Sequence, residues 1–163
     1  PVMVATSGAR LIDEDAVGAV SELLVPLATV VTPNVPEAEI LSGIRIGSLS
    51  DMEEAARRIH DAGPRHVLVK GGHMTGDATD VLYDGQKMRR LSGRRVPGGK
   101  VHGTGCTLSA AIASGLALGR DVPTAAADAK DYVTRCIEGA LRIGRGSALI
   151  DHSHCVCREG EEA

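Results

Sequence analysis

Phenylalanine and tryptophan are absent from this sequence of 163 residues, and tyrosine occurs only twice. Without these rings the buried core has to be built from aliphatic side chains, namely valine, leucine, isoleucine and alanine. Stacking on an aromatic platform therefore cannot be a major part of ligand binding within these residues. With 43% hydrophobic and 24% charged residues, the composition is that of a globular chain rather than a disordered one.

Long hydrophobic runs and clustered charge of one sign are also missing. The stretch ELLVPLATVV is too short to span a bilayer and is interrupted by Pro26, and we expect no signal peptide ahead of it. The net charge of −3 arises from both signs spread along the chain, with no basic stripe. We therefore expect no nucleic-acid partner, no membrane insertion and a cytoplasmic location.

The four cysteines do not suggest a disulfide scaffold, and a reducing compartment is the simplest interpretation. Two of them fall in predicted helices, and two lie in the polar tail DHSHCVC. A metal site in this tail is an alternative, although the spacing of its soft ligands matches no usual zinc pattern. The candidate ligands there are His152, His154, Cys155 and Cys157.

Segments with helical spacing alternate with short β-branched runs that are typical of strands. The stretch from Asp13 to Leu27 and the segment SLSDMEEAARRIHDAG have helical spacing. In the second we expect Ser50 as the N-cap, because Glu53 three residues on completes a capping box. ATVVT at Ala28–Thr32 and HVLVK indicate buried strands, and TDVLYDG and KMRRLSGRRV predict two strands turned at Asp84-Gly85. Two long helices follow, beginning at GTGC and at DVP.

This order of elements predicts an α/β fold with a mainly parallel sheet covered by helices on both faces. One domain should span residues 1–150, followed by a polar tail at residues 151–163. Ligands in such folds bind outside the carboxyl ends of the strands. The first residues, PVMVATSG, lack an initiator methionine. That start fits equally an entry into the middle of a larger fold or the trimming of a short leader.

The most specific motif is HGTGC, His102 to Cys106, at the start of a helix of small residues. Glycines at 103 and 105 allow backbone N–H groups to turn toward one point, and the helix start adds a partial positive charge. Together these features predict an anion hole for a phosphoryl group. Taken alone, the motif is equally compatible with a glycine turn that merely starts a buried helix.

Cys106 adds chemistry to this helix start. A thiol in the first turn of a helix ionises more readily, because the helix field favours the thiolate. Cys106 could therefore accept the proton of a substrate hydroxyl, or hold that hydroxyl in line. The alternative is a small buried hydrophobic residue, which is the commoner role of a single cysteine.

Two further segments place polar residues at strand ends. In TPNVPE, Asn34 and Glu37 stand three residues apart at a strand-to-helix switch and would suit Mg²⁺ that bridges phosphates; plain helix capping is the favoured alternative. In VLVKGGH, Lys70 ends a buried strand beside two glycines and could reach a phosphate, or simply enter solvent. We expect Asp77 and Asp80, which follow, to be surface or hairpin residues.

With these residues in hand, the chain closely resembles the hydroxymethylpyrimidine/phosphomethylpyrimidine kinases of thiamine biosynthesis, members of the ribokinase-like superfamily. The matching stretches are PVMVATSG, PLATVVTPNVPEAEILSG, VLVKGGH, DVLYDG, HGTGCTLSAAIASGLALG and AAADAKDYV. The resemblance implies a three-layer α/β/α ribokinase-like fold whose N-terminal part is missing from these residues. It also implies ATP-dependent, Mg²⁺-assisted phosphorylation of 4-amino-5-hydroxymethyl-2-methylpyrimidine and of its monophosphate.

The resemblance further implies roles for particular residues. Gly103, Thr104 and Gly105 would form the anion hole, and Cys106 would stand where related sugar kinases carry an aspartate base. The backbone of Val2 would lie against the pyrimidine ring. The nucleotide side would comprise Asn34, Glu37, Lys70, Gly72 and Lys130, with Glu37 also holding Mg²⁺.

Alternatives to this activity remain within and outside the family. Some relatives accept pyridoxal, so a pyridoxal kinase-like activity is one of them. A non-catalytic, nucleotide-binding fragment that needs its N-terminal half is another. The family commonly pairs into dimers, so a homodimer is a candidate assembly, although the sequence does not determine the oligomeric state.

Overall fold

A computed structural model describes residues 1–4, 9–74, 76–96, 101–144 and 146–153 of the chain. The chain divides into two compact units, Pro1–Arg95 and Val96–Ala163. The single domain expected over residues 1–150 and the tail at 151–163 stay predictions. In the part of the chain that the structure describes, no helix is long and apolar enough to cross a membrane.

The described residues of the first unit form three α-helices and three strands. The helix expected from Asp13 to Leu27 is confirmed, although its α-helical turns pass into a π turn and then a 3-10 turn before Ala28. The helix that follows Asn34 closes on Gly43 in the left-handed conformation, at φ 71°. The elements are α1 (Glu14–Ala19), α2 (Val35–Ser42), α3 (Leu49–Asp61), β1 (Val67–Val69), β2 (Asp80–Tyr83) and β3 (Met88–Leu91).

The sheet of this unit is mixed. On one side of β1 the chain from Ala28 to Asn34 runs parallel to it, with bridges Val31–Val67 and Asn34–Lys70. On the other side β1, β2 and β3 pair antiparallel in that order, and the predicted turn at Asp84-Gly85 is confirmed with Gly85 at φ 87°. The α/β class is confirmed. The described sheet is less parallel than expected, because short loops, unlike helical crossovers, join strands antiparallel.

The core of the first unit is aliphatic, as the lack of aromatic residues predicts. The middle strands β1 and β2 are buried at nearly every position, and α3 covers them with its apolar face. Burying such side chains contributes about 1.5–3 kcal/mol each. The buried residues of this core are Val25, Val31, Val35, Ala38, Ile46, Met52, Ala55, Ala56, Ile59, Val67, Val69 and Val81.

Helix α3 begins two residues earlier than the capping pattern at Ser50 predicted. Ser48 is the N-cap, and its hydroxyl accepts the N–H of Asp51 at 3.2 Å while Asp51 Oδ2 accepts the N–H of Ser48 at 2.9 Å. The prediction of Ser50 and Glu53 is therefore wrong. Two overlapping serine–acid pairs of equal spacing satisfy the same rule, and local sequence does not choose between them.

The pKa of Asp51 can show which of Ser48 and Ser50 is the N-cap of α3. This pKa lies below its ordinary value, mainly because the Ser48 side chain donates to the carboxylate, and also because the Gly47 N–H does. A carboxylate with a lowered pKa stabilises the folded state above its unfolded pKa, and this stabilisation is lost as the pH falls through the folded pKa. We expect Ser48→Ala to raise the pKa of Asp51 in a carboxyl NMR titration, and Ser50→Ala to leave it in place. Equal shifts in both variants would contradict this assignment.

In the second unit, the described residues form two packed helices and a short parallel strand pair. The two long helices predicted from the sequence are confirmed, and Gly115 lets them approach, since a Cβ there would lie 3.0 Å from Ala125 Cβ. Strand β4 pairs parallel with β5 through Val101–Ala148 and His102–Leu149. The elements are β4 (Val101–His102), α4 (Thr104–Ala117), α5 (Val122–Glu138) and β5 (Ala148–Leu149).

Candidate active site

The first unit brings two of the predicted segments together at neighbouring strand ends. Asn34 and Lys70 are partners in a parallel bridge, and the Lys70 N–H donates to the Pro33 carbonyl at 2.9 Å. The segments TPNVPE and VLVKGGH therefore end side by side, as expected of parallel strands whose carboxyl ends meet at one edge. The sequence predicted only that each segment lies at a strand end; their lying side by side is a finding of the structure.

Asn34 and Glu37 form a capping box at the start of α2. Asn34 Oδ1 accepts the N–H of Glu37 at 2.9 Å, and Glu37 Oε2 accepts the N–H of Asn34 at 2.9 Å. Glu37 Oε1 accepts a third N–H, that of Met3, at 3.0 Å. The capping role, which was the alternative to Mg²⁺ binding, is thus the one that the contacts display.

These contacts do not fit Glu37 as a direct Mg²⁺ ligand. Its side chain is buried, with only 3% of the residue exposed, and each carboxylate oxygen already accepts a backbone N–H. Mg²⁺ demands octahedral geometry and usually keeps several waters, which such a buried group cannot accommodate. Within the described ranges, histidine, cysteine and carboxylate side chains also form no group of three that could hold a metal ion.

The segment that Glu37 anchors contains an unusual backbone conformation. Val2 has φ 55° and is 59% exposed, whereas Met3 beside it is buried. A β-branched residue rarely adopts positive φ, and such strain costs about 1–3 kcal/mol. The hydrogen bond from Met3 to Glu37 and that from the Leu11 N–H to the Met3 carbonyl hold this segment in place. No sequence pattern indicated this conformation.

The glycines after Lys70 differ in what surrounds them. Gly71 donates its N–H to Asp80 Oδ1 at 2.8 Å, and a Cβ on Gly71 would lie 1.8 Å from the Thr79 carbonyl oxygen. Gly72 is exposed, with open space where a Cβ would stand. Asp80 begins β2 and pairs with Leu91 of β3, so the hairpin position is confirmed, but it is buried rather than at the surface, with 6% of the residue exposed. Which face an acidic residue takes at a strand start depends on packing that the sequence does not reveal.

In the second unit, the HGTGC motif adopts the predicted turn into a helix. Gly103 is the N-cap of α4 in the left-handed conformation, at φ 94°, which glycine adopts without strain. Its carbonyl accepts both the N–H of Thr107 at 3.0 Å and the Thr107 hydroxyl at 2.9 Å. The N–H groups of the first turn, at Thr104, Gly105 and Cys106, have no carbonyl partner within the helix, as at any helix start.

Cys106 and Lys130 are also placed in the second unit. The Cys106 thiol is free and exposed in the first turn of α4, so the alternative of a buried hydrophobic cysteine is wrong. Lys130 is half-buried in α5, and its carbonyl accepts the Thr134 hydroxyl at 2.8 Å. In the tail, His152 Nδ1 lies 3.3 Å from the Tyr132 hydroxyl. The other proposed metal ligands, His154, Cys155 and Cys157, lie outside the described residues.

Comparison with solved structures defines the class of protein. The pyridoxal kinase from Staphylococcus aureus, in complex with AMP-PCP and pyridoxal, is 33% identical with a TM-score of 0.87 over 92% of this chain and 57% of its own. The phosphomethylpyrimidine kinase from Clostridium difficile is 39% identical with a TM-score of 0.73 over 84% of this chain and 55% of its own. The fold is thus that of the ribokinase-like kinases, as expected.

The chain belongs to the phosphomethylpyrimidine kinase family, whose model matches residues 1–151. It is 49% identical over 93% of its length to the thiamine biosynthesis bifunctional protein ThiED of Geobacter sulfurreducens, covering 31% of that protein. It is 46% identical over 93% of its length to the hydroxymethylpyrimidine/phosphomethylpyrimidine kinase of Synechococcus elongatus, covering 59% of that protein. The chain therefore spans less than two thirds of the length of these curated relatives.

Proposed function

We propose that the polypeptide carrying these residues transfers the terminal phosphoryl group of ATP to the hydroxymethyl group of 4-amino-5-hydroxymethyl-2-methylpyrimidine, and then to its monophosphate. The observation that carries this proposal is the helix start at Gly103, with an exposed thiol in its first turn, in a chain of this family. Phosphoryl transfer relies mostly on positioning and charge stabilisation, which is what a helix start with oriented N–H groups supplies.

The first turn of α4 acts as the anion hole in this proposal. The N–H groups of Thr104, Gly105 and Cys106 hold the oxygens of the transferred phosphoryl group while negative charge rearranges on them. The left-handed Gly103 turns the chain so that these groups are presented at the helix start. Each such donor typically contributes about 10²–10³ in rate.

Cys106 acts on the substrate hydroxyl. Its sulfur accepts the hydroxyl proton as the substrate oxygen bonds to phosphorus, while the bond between that phosphorus and the departing ADP oxygen breaks. Lys70 and Lys130 offset phosphate charge, the backbone at Gly72 approaches the nucleotide, and Val2 lies against the pyrimidine. Glu37 does not fit Mg²⁺ as a direct ligand, so it has no metal-binding role in this proposal. The use of Mg²⁺ stays a prediction, as do a homodimer and a cytoplasmic location.

Replacing Cys106 with alanine tests the thiol directly. We expect Cys106→Ala to lower kcat by about 10²–10⁴-fold, the usual contribution of a positioned proton acceptor, with ATP affinity nearly unchanged. The kcat of Cys106→Ser should lie between those of the unchanged protein and of Cys106→Ala, because a hydroxyl can align the substrate but is a poorer base. Steady-state kinetics with both substrates and calorimetric binding of AMP-PCP measure these effects. Near-normal turnover of the alanine variant would remove Cys106 from the chemistry.

The activity itself is tested by incubating the purified polypeptide with ATP, Mg²⁺ and either hydroxymethylpyrimidine or pyridoxal, followed by ³¹P NMR. Pyridoxal is included because the chain superimposes on a pyridoxal kinase with a TM-score of 0.87. We expect phosphorylated pyrimidine to form faster than pyridoxal phosphate. Preference for pyridoxal would establish the second candidate. Binding of AMP-PCP without any phosphorylation would reduce the chain to a non-catalytic nucleotide-binding fragment.

A further inference from the structure

The loop between β1 and β2 is held by one side chain from far along the chain. Arg95 donates from Nη1 to the Gly72 carbonyl at 3.0 Å, from Nε to the Gly76 carbonyl at 2.9 Å, and from Nη2 to the Met74 carbonyl. Its three nitrogens thus bind three alternate carbonyls of the Gly72–Gly76 loop. The backbone beside Arg95 adds a fourth contact, since the Ala78 N–H donates to the Gly93 carbonyl at 2.9 Å.

Only an arginine can make this set of contacts. Its guanidinium is planar and presents five N–H donors in a fixed arrangement, whereas a lysine ammonium is a compact charge on a flexible stem. The loop has few described backbone hydrogen bonds of its own, among them that from the Met74 N–H to the Gly71 carbonyl at 2.9 Å. The shape of the loop therefore depends strongly on Arg95.

Because Arg95 binds carbonyls on one side of the Gly72–Gly76 loop, backbone N–H groups face the opposite side. In a trans peptide the C=O and the following N–H point in opposite directions, and no cis peptide occurs in the described residues. When the carbonyls of Gly72 and Gly76 face Arg95, the N–H groups of residues 73 and 77 face the opposite side. Oriented N–H groups of this kind attract anions.

We propose that Arg95 is a positioning residue that shapes the Gly72–Gly76 loop for a nucleotide phosphate. This inference rests on the proposed function, in which Lys70 and Gly72 at the same loop approach the nucleotide. Arg95 acts through the loop backbone: it holds the negative ends of three peptide dipoles away from the side that receives the phosphate. The ligand class is a nucleoside polyphosphate.

The experiment compares Arg95→Lys and Arg95→Ala with matched changes at Arg45. The Arg45 side chain is 95% exposed and forms an ion pair with Glu39 at 3.6 Å, so Arg45→Lys and Arg45→Ala control for removal of a surface arginine. Hydrogen exchange of the peptide covering residues 71–79, measured without nucleotide, reports loop order. Calorimetric titration with AMP-PCP and the KM values for ATP and pyrimidine report function.

We expect both Arg95 variants to speed exchange of residues 71–79 and to raise the AMP-PCP Kd and the KM for ATP by about tenfold, the effect of losing one or two exposed hydrogen bonds. The KM for the pyrimidine should stay unchanged. Arg95→Lys should bind AMP-PCP no better than Arg95→Ala, because a positive charge alone does not hold three carbonyls. A merely structural residue would alter exchange without separating the two KM values.

The outcomes separate this inference from the proposed function. If the unchanged protein binds AMP-PCP but the Arg95 variants bind it equally well, the positioning role is overturned while the kinase assignment stands. Unchanged exchange in the Arg95 variants would also overturn it. If the unchanged protein neither binds AMP-PCP nor phosphorylates either substrate, the proposed function fails and this inference fails with it.

Discussion

Gly71→Ala is expected to be among the most destabilising single substitutions in the first unit. The added Cβ would lie 1.8 Å from the carbonyl oxygen and 2.9 Å from the carbonyl carbon of Thr79. Both atoms belong to the backbone, so no side-chain rotation relieves the overlap, and the start of β2 has to move. That movement also breaks the 2.8 Å hydrogen bond from the Gly71 N–H to the buried Asp80 carboxylate.

We expect this variant to lose at least about 3–4 kcal/mol of the free energy of unfolding, as overpacking and a broken buried hydrogen bond combine. Gly72→Ala is the matched control one residue on, because a Cβ there meets nothing within 4 Å. The free energy of unfolding of Gly72→Ala should change by no more than about 1 kcal/mol. Urea unfolding followed by circular dichroism measures both, and similar midpoints would show that the two glycines are equivalent after all.

Replacing Glu37 should reveal a structural anchor rather than a metal ligand. Its two oxygens accept the N–H groups of Met3 and Asn34 inside the protein. Glu37→Ala leaves both donors unsatisfied, and each buried unsatisfied donor costs about 1–3 kcal/mol. Glu37→Gln keeps the size but puts an NH₂ group against a backbone N–H, so we expect about half of that loss.

The comparison that decides between the two roles is the dependence of activity on Mg²⁺ concentration. If Glu37 is an anchor, Glu37→Gln should lower the free energy of unfolding. The Mg²⁺ concentration that gives half-maximal activity should then stay the same. The KM for pyrimidine should rise, because the strained backbone at Val2 loses its tether through Met3. Glu39→Gln, at a partly exposed carboxylate that accepts the Ile46 N–H, is the control. A shifted Mg²⁺ requirement without loss of stability would restore Glu37 as a ligand.

Much of the candidate site followed from local patterns. The turn into α4 at Gly103 was predicted because glycine at a helix start and a run of small helix formers are local features. The positions of Asn34 and Lys70 at strand ends were predicted because a short β-branched run precedes each of them. In both cases the physical cause lies within a few residues of the position concerned.

Other positions were missed because their roles depend on distant partners. For Asp80 the sequence indicated a surface or hairpin position, but not the burial of its carboxylate against the Gly71 N–H. Arg95 lies 19 to 23 residues from the carbonyls that it binds, within a stretch without any motif. Ser50 was predicted as the N-cap of α3 in place of Ser48, because both satisfy the same capping rule. Only the path of the chain into α3 distinguishes them.

The amino-acid sequence by itself determined the α/β class, the aliphatic core and the glycine-opened helix with its cysteine, because composition and local spacing act directly on the backbone. Only the tertiary structure decided that Glu37 is a buried anchor, that Gly71 has no room for a side chain and that Arg95 holds the loop beyond Lys70. These roles arise from contacts between segments that are remote along the chain, and a contact of this kind exists only once the backbone has brought its two partners within hydrogen-bonding distance.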